Sequence, residues 1–148
     1  MHRRKAIELD PDNSVLALCA AGMAVGGDAA AATEFFARAW AARADDFEAA
    51  VAAHYVARVQ ATMAEKLAWD ARAASHAEAA RAAGDARVNG LLASLNLNVG
   101  DGLLEQGRRA EAREAAARAE AGLDFLAEDG YRAFVAGAIA RLQGRIET

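Results

Sequence analysis

Three polar residues near the middle of the chain have the types and spacing to contact a bound partner. Tyr55 and Arg58 are three residues apart, so they share a face if this segment is helical, and His54 lies four residues before Arg58. Exposed Tyr and Arg side chains are common energetic anchors of protein interfaces, so this pair could bind a peptide or a carboxylate. The alternative is that Tyr55 packs between helices while Arg58 pairs with a nearby acid. We expect His54 to be a core histidine with its hydrogen bonds satisfied.

The other residues that could support catalysis or metal binding lack suitable neighbours. Cys19 is the one cysteine, and His2 and His76 have no partner at metal-ligand spacing. The carboxylates of Asp45-Asp46 and Glu128-Asp129 are adjacent, so each pair points to different helix faces and suits capping better than acid–base chemistry. No nucleotide-binding loop or nucleophile elbow is present. The sequence therefore predicts no catalytic site, no metal site and no cofactor.

The composition narrows the classes of partner. The chain has 148 residues and a formal charge of −4, with 44 alanines and with 15 arginines that are scattered rather than clustered. A mildly acidic chain of this kind lacks the basic patch that nucleic-acid binding normally requires. No apolar run approaches the roughly 20 residues that cross a bilayer, and no apolar signal region follows the basic start. We expect a cytoplasmic protein that binds neither nucleic acid nor membrane.

Most of the chain predicts helix, because alanine is the best helix former and no alternating apolar run indicates a strand. Pro11 and several glycine-containing breaks divide it, and the segment from Thr62 to Glu65 has the pattern of a capping box. The predicted helices span about 14–25, 29–43, 46–61, 63–83, 86–106, 109–127 and 131–146. Since the connections are short, consecutive helices must pack antiparallel as hairpins. Three surface ion pairs at a spacing of four residues are expected: Glu34–Arg38, Glu105–Arg109 and Glu114–Arg118.

An internal repeat relates two parts of the chain at a constant offset of 80 residues. The small residues of the repeat would let the two helices of a hairpin approach closely, the larger ones at 23 and 36 would fill the space between hairpins, and the glycines would supply positive-φ turns. The paired positions are Cys19 and Val99, Ala20 and Gly100, Met23 and Leu103, Gly27 and Gly107, Ala32 and Ala112, Phe36 and Ala116, and Ala39 and Ala119.

These positions resemble the tetratricopeptide repeat, a helix–turn–helix unit of about 34 residues. The resemblance divides the chain into a partial repeat (1–11), a first repeat (13–46), an irregular second repeat (47–84), a third repeat (85–128) and a capping helix (131–146). In the capping helix, the apolar face that would meet the stack consists of Phe134, Val135, Ala138, Ile139 and Leu142. Shorter strings, including 54–60 and 94–100, also resemble a narrower group of small bacterial repeat proteins of unassigned activity.

The resemblance implies an all-α fold, a short right-handed superhelix of hairpins that ends in a capping helix. Members of the family bind peptides or helices of other proteins in the concave groove, where an asparagine at the position of Asn98 contacts peptide backbone. We therefore predict a non-enzymatic interaction module with Tyr55, Arg58, Asn98 and Asp101 as its partner contacts. Two alternatives stay open: the ligand- or peptide-sensing part of a regulatory system, and a structural homo-oligomer that associates through the N-terminal edge.

Overall fold

The computed structural model describes residues 8–148, and every regular element in this range is helical. The α-helices are α1 (Ser14–Ala24), α2 (Ala29–Ala42), α3 (Asp46–Ala57), α4 (Met63–Ala82), α5 (Leu92–Glu105), α6 (Arg109–Gly122) and α7 (Gly130–Glu147). Two short 3-10 helices, Ala86–Val88 and Leu123–Phe125, lie before α5 and after α6. The prediction of an all-α fold is confirmed.

Side-chain caps begin most of these helices where the sequence predicts them. In each of four cases a side-chain oxygen accepts a hydrogen bond from a backbone amide in the first turn. These caps are Asn13 for α1, Asp28 for α2, Asp45 for α3 and Asp129 for α7. Half of the predicted capping box before α4 is formed, because Thr62 Oγ1 accepts from the Glu65 amide at 3.1 Å. The Glu65 carboxylate accepts from the Thr62 hydroxyl at 2.8 Å and not from the Thr62 backbone amide.

Helices that are consecutive in sequence pack against each other, so the fold is a stack of three hairpins followed by α7. The hairpins are α1–α2, α3–α4 and α5–α6; α4 also packs extensively on α5, and α7 lies against α5 and α6. Small side chains allow the close approach of the backbones, and Ala50, Ala53, Ala73 and Ala77 are completely buried. The thin core expected from an alanine-rich chain is thus built from closely spaced helices.

The positions that the internal repeat relates have matching environments in most cases. Both members are buried for Cys19 and Val99, Ala32 and Ala112, Phe36 and Ala116, and Ala39 and Ala119. Burial also raises the pKa of the Cys19 thiol to about 12, which leaves it an inert small hydrophobe.

The prediction for Met23 is wrong, because its side chain is 46% exposed while its counterpart Leu103 is buried. α1 instead buries the face that carries Cys19 and Gly22. A Cβ at Gly22 would overlap the Phe36 ring, so the absence of a side chain at Gly22 makes room for Phe36. A glycine and an aromatic ring therefore fill the space that Met23 was expected to fill.

The predicted turn glycines are correct in one hairpin and displaced by one residue in the other. Gly107 has φ 73°, as predicted, whereas in the first hairpin the positive φ of 64° belongs to Gly26 and not to Gly27. The reason is loop length: residues 25–28 join α1 to α2, but only residues 106–108 join α5 to α6. The extra residue in the first loop shifts the turn relative to the helices.

Three helices are shorter than predicted. α3 ends at Ala57 and α6 at Gly122, while the predicted helix over 86–106 is divided by the connection between Val88 and Leu92. Asp85 caps the 3-10 helix by accepting a hydrogen bond from the Arg87 amide, so the chain turns before α5 begins. The predicted partial repeat, 1–11, and the N-terminal edge lie mostly outside the described residues.

Two tryptophans fill the junction between α2 and α4. The rings of Trp40 and Trp69 meet edge to face with centroids 5.0 Å apart, so the two side chains pack between the first two hairpins. The guanidinium carbons of Arg43 and Arg72 lie 3.8 and 4.4 Å from the centroids of Trp40 and Trp69, respectively. Beside them, His76 Nδ1 is 2.8 Å from a carboxylate oxygen of Asp46; a stacked cluster therefore joins the first two hairpins.

The packing face of α7 agrees with the prediction except that Ala138 is half-buried and one residue is exposed. Val135, Ile139, Leu142 and Ile146 are buried. Phe134, which was expected to face the stack, is 42% exposed. A helix presents one apolar stripe to its neighbours, and Phe134 lies nearly a quarter of a turn away from the stripe that the other four residues define.

Candidate functional site

The structure places Tyr55 in the core, not on a binding surface. Its side chain is 7% exposed, its ring lies 5.3 Å from the Phe36 ring, and burial raises the pKa of its hydroxyl. The alternative stated for Tyr55, packing between hairpins, is therefore the correct one. The predicted contact between Tyr55 and a partner is ruled out in this conformation, because neighbouring helices already cover the ring.

Arg58 is exposed at the end of α3, where its guanidinium carbon is 6.0 Å from the centre of the Tyr55 ring. It forms no ion pair with any residue from 8 to 148, so the alternative that it pairs with an acid is not borne out. Tyr55 and Arg58 are neighbours, as their spacing predicts, but they do not lie together with Asn98 and Asp101 in one recess.

His54, the neighbour of these two residues, differs from the expectation of a satisfied core histidine. Its Nδ1 is buried and has no hydrogen-bond partner in the described part of the chain. Burial lowers the pKa of His54 to about 4, and the positive charges of Arg58 and Lys66 act in the same direction. The ring is therefore held neutral in the folded protein at neutral pH.

Asn98 and Asp101, the other two predicted contacts, lie together in an open recess between α4 and α5. This α4–α5 recess has a volume of about 290 Å³. It is lined by Met63, Lys66, Leu67 and Asp70 of α4, by Asn98, Asp101, Gly102 and Glu105 of α5, and by Arg145 of α7. Asn98 lines the recess, and no hydrogen bond joins its side-chain amide to another residue within 8–148.

A second recess adjoins the first on the other side of Asp101. This α5–α7 recess has a volume of about 720 Å³ and is lined by Leu97, Asp101, Ala138, Arg141, Gly144, Arg145 and Thr148. The two recesses share Asp101 and Arg145, whose side chains are joined by an ion pair of 2.6 Å. One polar pair thus stands at the boundary of two neighbouring cavities.

Two glycines of α5 bring the neighbouring helices to this boundary. A Cβ at Gly100 would stand 2.7 Å from Leu142 Cδ2 of α7, and a Cβ at Gly102 would stand 2.9 Å from Leu67 Cδ1 of α4. Both helices therefore approach α5 more closely than a larger residue would allow. Asp101 lies between the two glycines in sequence, which positions its carboxylate where α4, α5 and α7 meet.

An ion pair between a buried carboxylate, Asp70, and a partly exposed ammonium, Lys66, forms one wall of the α4–α5 recess. The Asp70 side chain is only 3% exposed, and its Oδ2 accepts a hydrogen bond from Lys66 Nζ at 2.6 Å. Burial raises the pKa of the Asp70 carboxyl, Lys66 opposes that effect, and the negative charge of Asp101 adds to it. The site therefore contains two carboxylates that are close enough to repel each other.

The three ion pairs predicted at a spacing of four residues do not form among residues 8–148. The pair of Glu105 and Arg109 fails because Glu105 ends α5 and Arg109 begins α6, so they are not on one helix. Arg109 instead donates to the backbone carbonyl of Ile146. Arg38 lies over the Phe35 ring, and Arg118 donates to Asn96.

The sequence reasoning missed Glu105 of α5 itself and the residues that α4 and α7 contribute to the two recesses: Lys66, Asp70, Arg141 and Arg145. Lys66 and Asp70 have the ordinary spacing of a surface pair, and nothing in that spacing shows that Asp70 is buried. The segment Gly100-Asp101-Gly102 was the usable signal, because two small residues flanking an acid on a helix mark close approach on both sides. It would have directed attention to α4 and α7.

The arrangement offers charges, one free amide and apolar walls, a combination suited to recognition. Among residues 8–148, no group of three or more His, Cys, Asp or Glu side chains could hold a metal ion. No helix in the same range is both long enough and apolar enough to cross a membrane. Comparison of the chain with models of known families, with curated proteins and with solved structures found no match.

Proposed function

We propose that this protein is a non-enzymatic interaction module that binds an extended segment of a partner protein across α5. One observation carries the proposal: Asn98 lines the α4–α5 recess, and Asp101 lines both this recess and the adjoining α5–α7 recess. Some of the polar groups in these recesses are unpaired. The proposed contacts keep these two predicted residues and add Arg141 and Arg145. Tyr55 and Arg58 are left out, because the first is buried and the second lines neither recess.

The dimensions of the two recesses support a peptide ligand. The α4–α5 recess, at about 290 Å³, is as large as the smallest ordinary ligand sites, and the α5–α7 recess, at about 720 Å³, is of middle size. Both recesses are open to solvent. A chain lying across α5 could place one side chain in each recess and its backbone over Asp101. Such binding needs no change in the helices that form the walls.

The chemistry of Asn98 supports backbone recognition. A side-chain amide has one acceptor and two donors, so it can pair with both the N–H and the C=O of a peptide group. The resemblance to tetratricopeptide repeats implies the same role for an asparagine at this position. A cytoplasmic location is part of the proposal, since a single buried cysteine that forms no disulfide is typical of proteins in a reducing compartment.

A library of random twelve-residue peptides, displayed on phage and selected on the purified protein, tests the proposal. We expect selected peptides to bind the wild type and to lose about tenfold in affinity with Asn98→Ala, which corresponds to about 1.4 kcal/mol. Asn89→Ala is the matched control, because Asn89 lies outside both recesses. Affinities would be measured by fluorescence anisotropy, with helicity checked by circular dichroism.

Peptides that bind all variants equally would place the binding surface elsewhere and overturn the proposal. The same holds if repeated selection yields no peptide that binds. Light scattering on the free protein is a useful companion measurement, because dimers that occlude α5 and disappear with Asn98→Ala or Asp101→Ala would favour the homo-oligomer alternative.

A further inference from the structure

We infer that the α4–α5 recess receives a basic side chain, the guanidinium of arginine or the ammonium of lysine, from the bound segment. The inference rests on the proposed function and specifies the chemistry of one residue of the partner. It follows from the charges of the recess, from the burial of Asp70 and from the apolar walls.

The charges of the recess do not balance. Its lining has three carboxylates, those of Asp70, Asp101 and Glu105, and two cations, Lys66 and Arg145. Each cation already has a carboxylate partner at 2.6 Å, Asp70 for Lys66 and Asp101 for Arg145. Glu105 has no ion-pair partner among residues 8–148. An entering cation would therefore find an unpaired carboxylate, whereas an entering anion would be repelled.

Asp70 makes the depth of the recess electronegative. The Asp70 side chain is almost completely buried, yet it lines the recess. Lys66 donates only to its Oδ2. Asp101 is close enough to raise the pKa of Asp70 by repulsion. A cation placed between these carboxylates would relieve that repulsion, and such attraction is stronger in a partly desolvated recess than in water.

The apolar part of the lining matches the stem of a long basic side chain. Met63 is 56% exposed at the rim, and Leu67 and Gly102 form the wall where α4 and α5 approach each other. Lys and Arg side chains bury their methylene stems along apolar surface while the charged end reaches polar groups. Met63 and Leu67, together with the carboxylates of the same lining, provide both surfaces.

The ion pair at the boundary can yield to a ligand. Arg145 and Asp101 are 54% and 46% exposed, and exposed pairs of this kind contribute about 0–1 kcal/mol. An entering guanidinium can share or replace Arg145 at Asp101 at little cost. Arg145 would then be available to the α5–α7 recess, where Arg141 already supplies positive charge.

Amide chemical shifts of the 15N-labelled protein test the inference with a small probe. The probe is N-acetyl-L-arginine amide, and its matched control is N-acetyl-L-citrulline amide, which has nearly the same shape but no charge. We expect saturable shifts at Leu67, Asn98 and Gly102 with the arginine probe, and shifts at least fivefold smaller with citrulline at the same concentration.

Glu105→Gln keeps the shape of the recess and removes its unpaired charge, so it should reduce the response to arginine at least threefold. Glu128→Gln, in the connection before α7, is the control and should leave the response unchanged. Equal responses to arginine and citrulline, or a response that Glu105→Gln does not alter, would overturn the inference.

The selected peptides separate this inference from the proposed function. We expect them to be enriched in Arg or Lys at one position, and replacement of that residue by citrulline or norleucine to weaken binding at least fivefold. Peptides that depend on Asn98 but show no basic preference would refute the inference and leave the proposed function standing. Failure to select any Asn98-dependent peptide, while the arginine probe still binds, would refute the proposed function alone.

Discussion

His54 and Asp70 are two ionisable side chains that the α3–α4 hairpin removes from water, and protonation affects them in opposite ways. Burial lowers the pKa of His54 to about 4, so the folded state resists protonation of this ring. Burial raises the pKa of the Asp70 carboxyl, so the folded state favours its protonation. Because each shift is a difference between folded and unfolded states, each contributes a pH dependence to stability.

We predict that His54 makes the protein less stable as the pH falls from about 6.5 towards 4. In this window the unfolded chain binds a proton at His54 and the folded chain does not, so stability is complete above pH 6.5 and is lost below it. The slope from this one residue reaches up to about 1.4 kcal/mol per pH unit. His54→Leu should remove this part of the slope, as measured by urea denaturation at pH 7.5, 6.0 and 5.0.

His76→Leu is the matched control, since His76 is bonded to Asp46 at the surface of the α2–α4 junction. This variant should retain the slope that His54 contributes. The contribution of Asp70 has the opposite sign and is common to all variants, so it cancels in the comparison. A wild type and a His54→Leu variant with the same pH dependence between 7.5 and 5.0 would contradict the prediction.

The pair of Lys66 and Asp70 gives a second prediction at this scale. Lys66→Met leaves the buried carboxylate of Asp70 without its cation, which should cost about 1–3 kcal/mol of unfolding free energy at pH 7. Adding Asp70→Asn should recover most of the loss, because the uncompensated charge is then gone. Arg81→Met removes an exposed pair at 3.8 Å and should cost under about 0.5 kcal/mol. Equal losses for Lys66→Met and Arg81→Met would show that the burial of Asp70 has no energetic consequence.

The helices depend on glycines whose surroundings differ sharply, and this gives a prediction at the scale of elements. A Cβ at Gly122 of α6 would stand 2.7 Å from the backbone nitrogen of Ala93 in α5, which cannot move without moving the helix. A Cβ at Gly144 of α7 would meet nothing within 4 Å. Gly122→Ala should destabilise the protein by about 1–3 kcal/mol, whereas Gly144→Ala should stabilise it by about 0.5–1 kcal/mol through reduced backbone entropy. Thermal unfolding of the two variants measures both changes in stability. Changes of the same sign in the two variants would contradict the prediction.

Sequence predicted the helices well where short-range chemistry determines them. The caps at Asn13, Asp45 and Thr62 depend on residues within one turn, so their pattern is readable without knowledge of the fold. The break at 88–92 was missed although Asn89-Gly90 is a turn signal in the sequence, because the apolar residues on both sides suggested one continuous helix. The turn also involves Asp85, which caps the 3-10 helix, and the burial of Val88. Loop length, which moved the positive φ to Gly26, was likewise invisible to an alignment of the repeat.

The candidate site was only half predictable for a related reason. Asn98 and Asp101 were found from α5 alone, but the α4–α5 and α5–α7 recesses depend on how three helices pack. Tyr55 was assigned to a surface because an aromatic residue at that spacing can be either exposed or packed. The burial of Tyr55 depends on Phe36, which lies on another hairpin, so no local pattern could distinguish the two cases.

The whole molecule has a central region of closely packed helices and a more loosely attached C-terminal helix. α3, α4, α5 and α6 form an extensive series of contacts, whereas α7 contacts α5 and α6 less extensively. Side-chain bonds hold the end of α7: Arg113 pairs with Glu147, and Arg145 with Asp101. In stacked helical proteins each unit is stabilised mainly by its neighbours, so a unit with fewer contacts opens at lower free energy than the centre.

We therefore predict that backbone amides of α7 exchange with deuterium faster than those of α5, and that a bound peptide slows the exchange of α7 in particular. α7 supplies Arg141 and Arg145 to the α5–α7 recess, so a ligand that bridges both recesses binds only when α7 is docked. At a free peptide concentration of 100 times Kd, linkage would raise the opening free energy of α7 by up to about 2.7 kcal/mol. Hydrogen exchange followed by mass spectrometry, with and without a selected peptide, measures the change in the opening free energy of α7. Slower exchange in α4 and α5 with no change in α7 would mean that binding does not depend on docked α7, and the bridging geometry would be wrong.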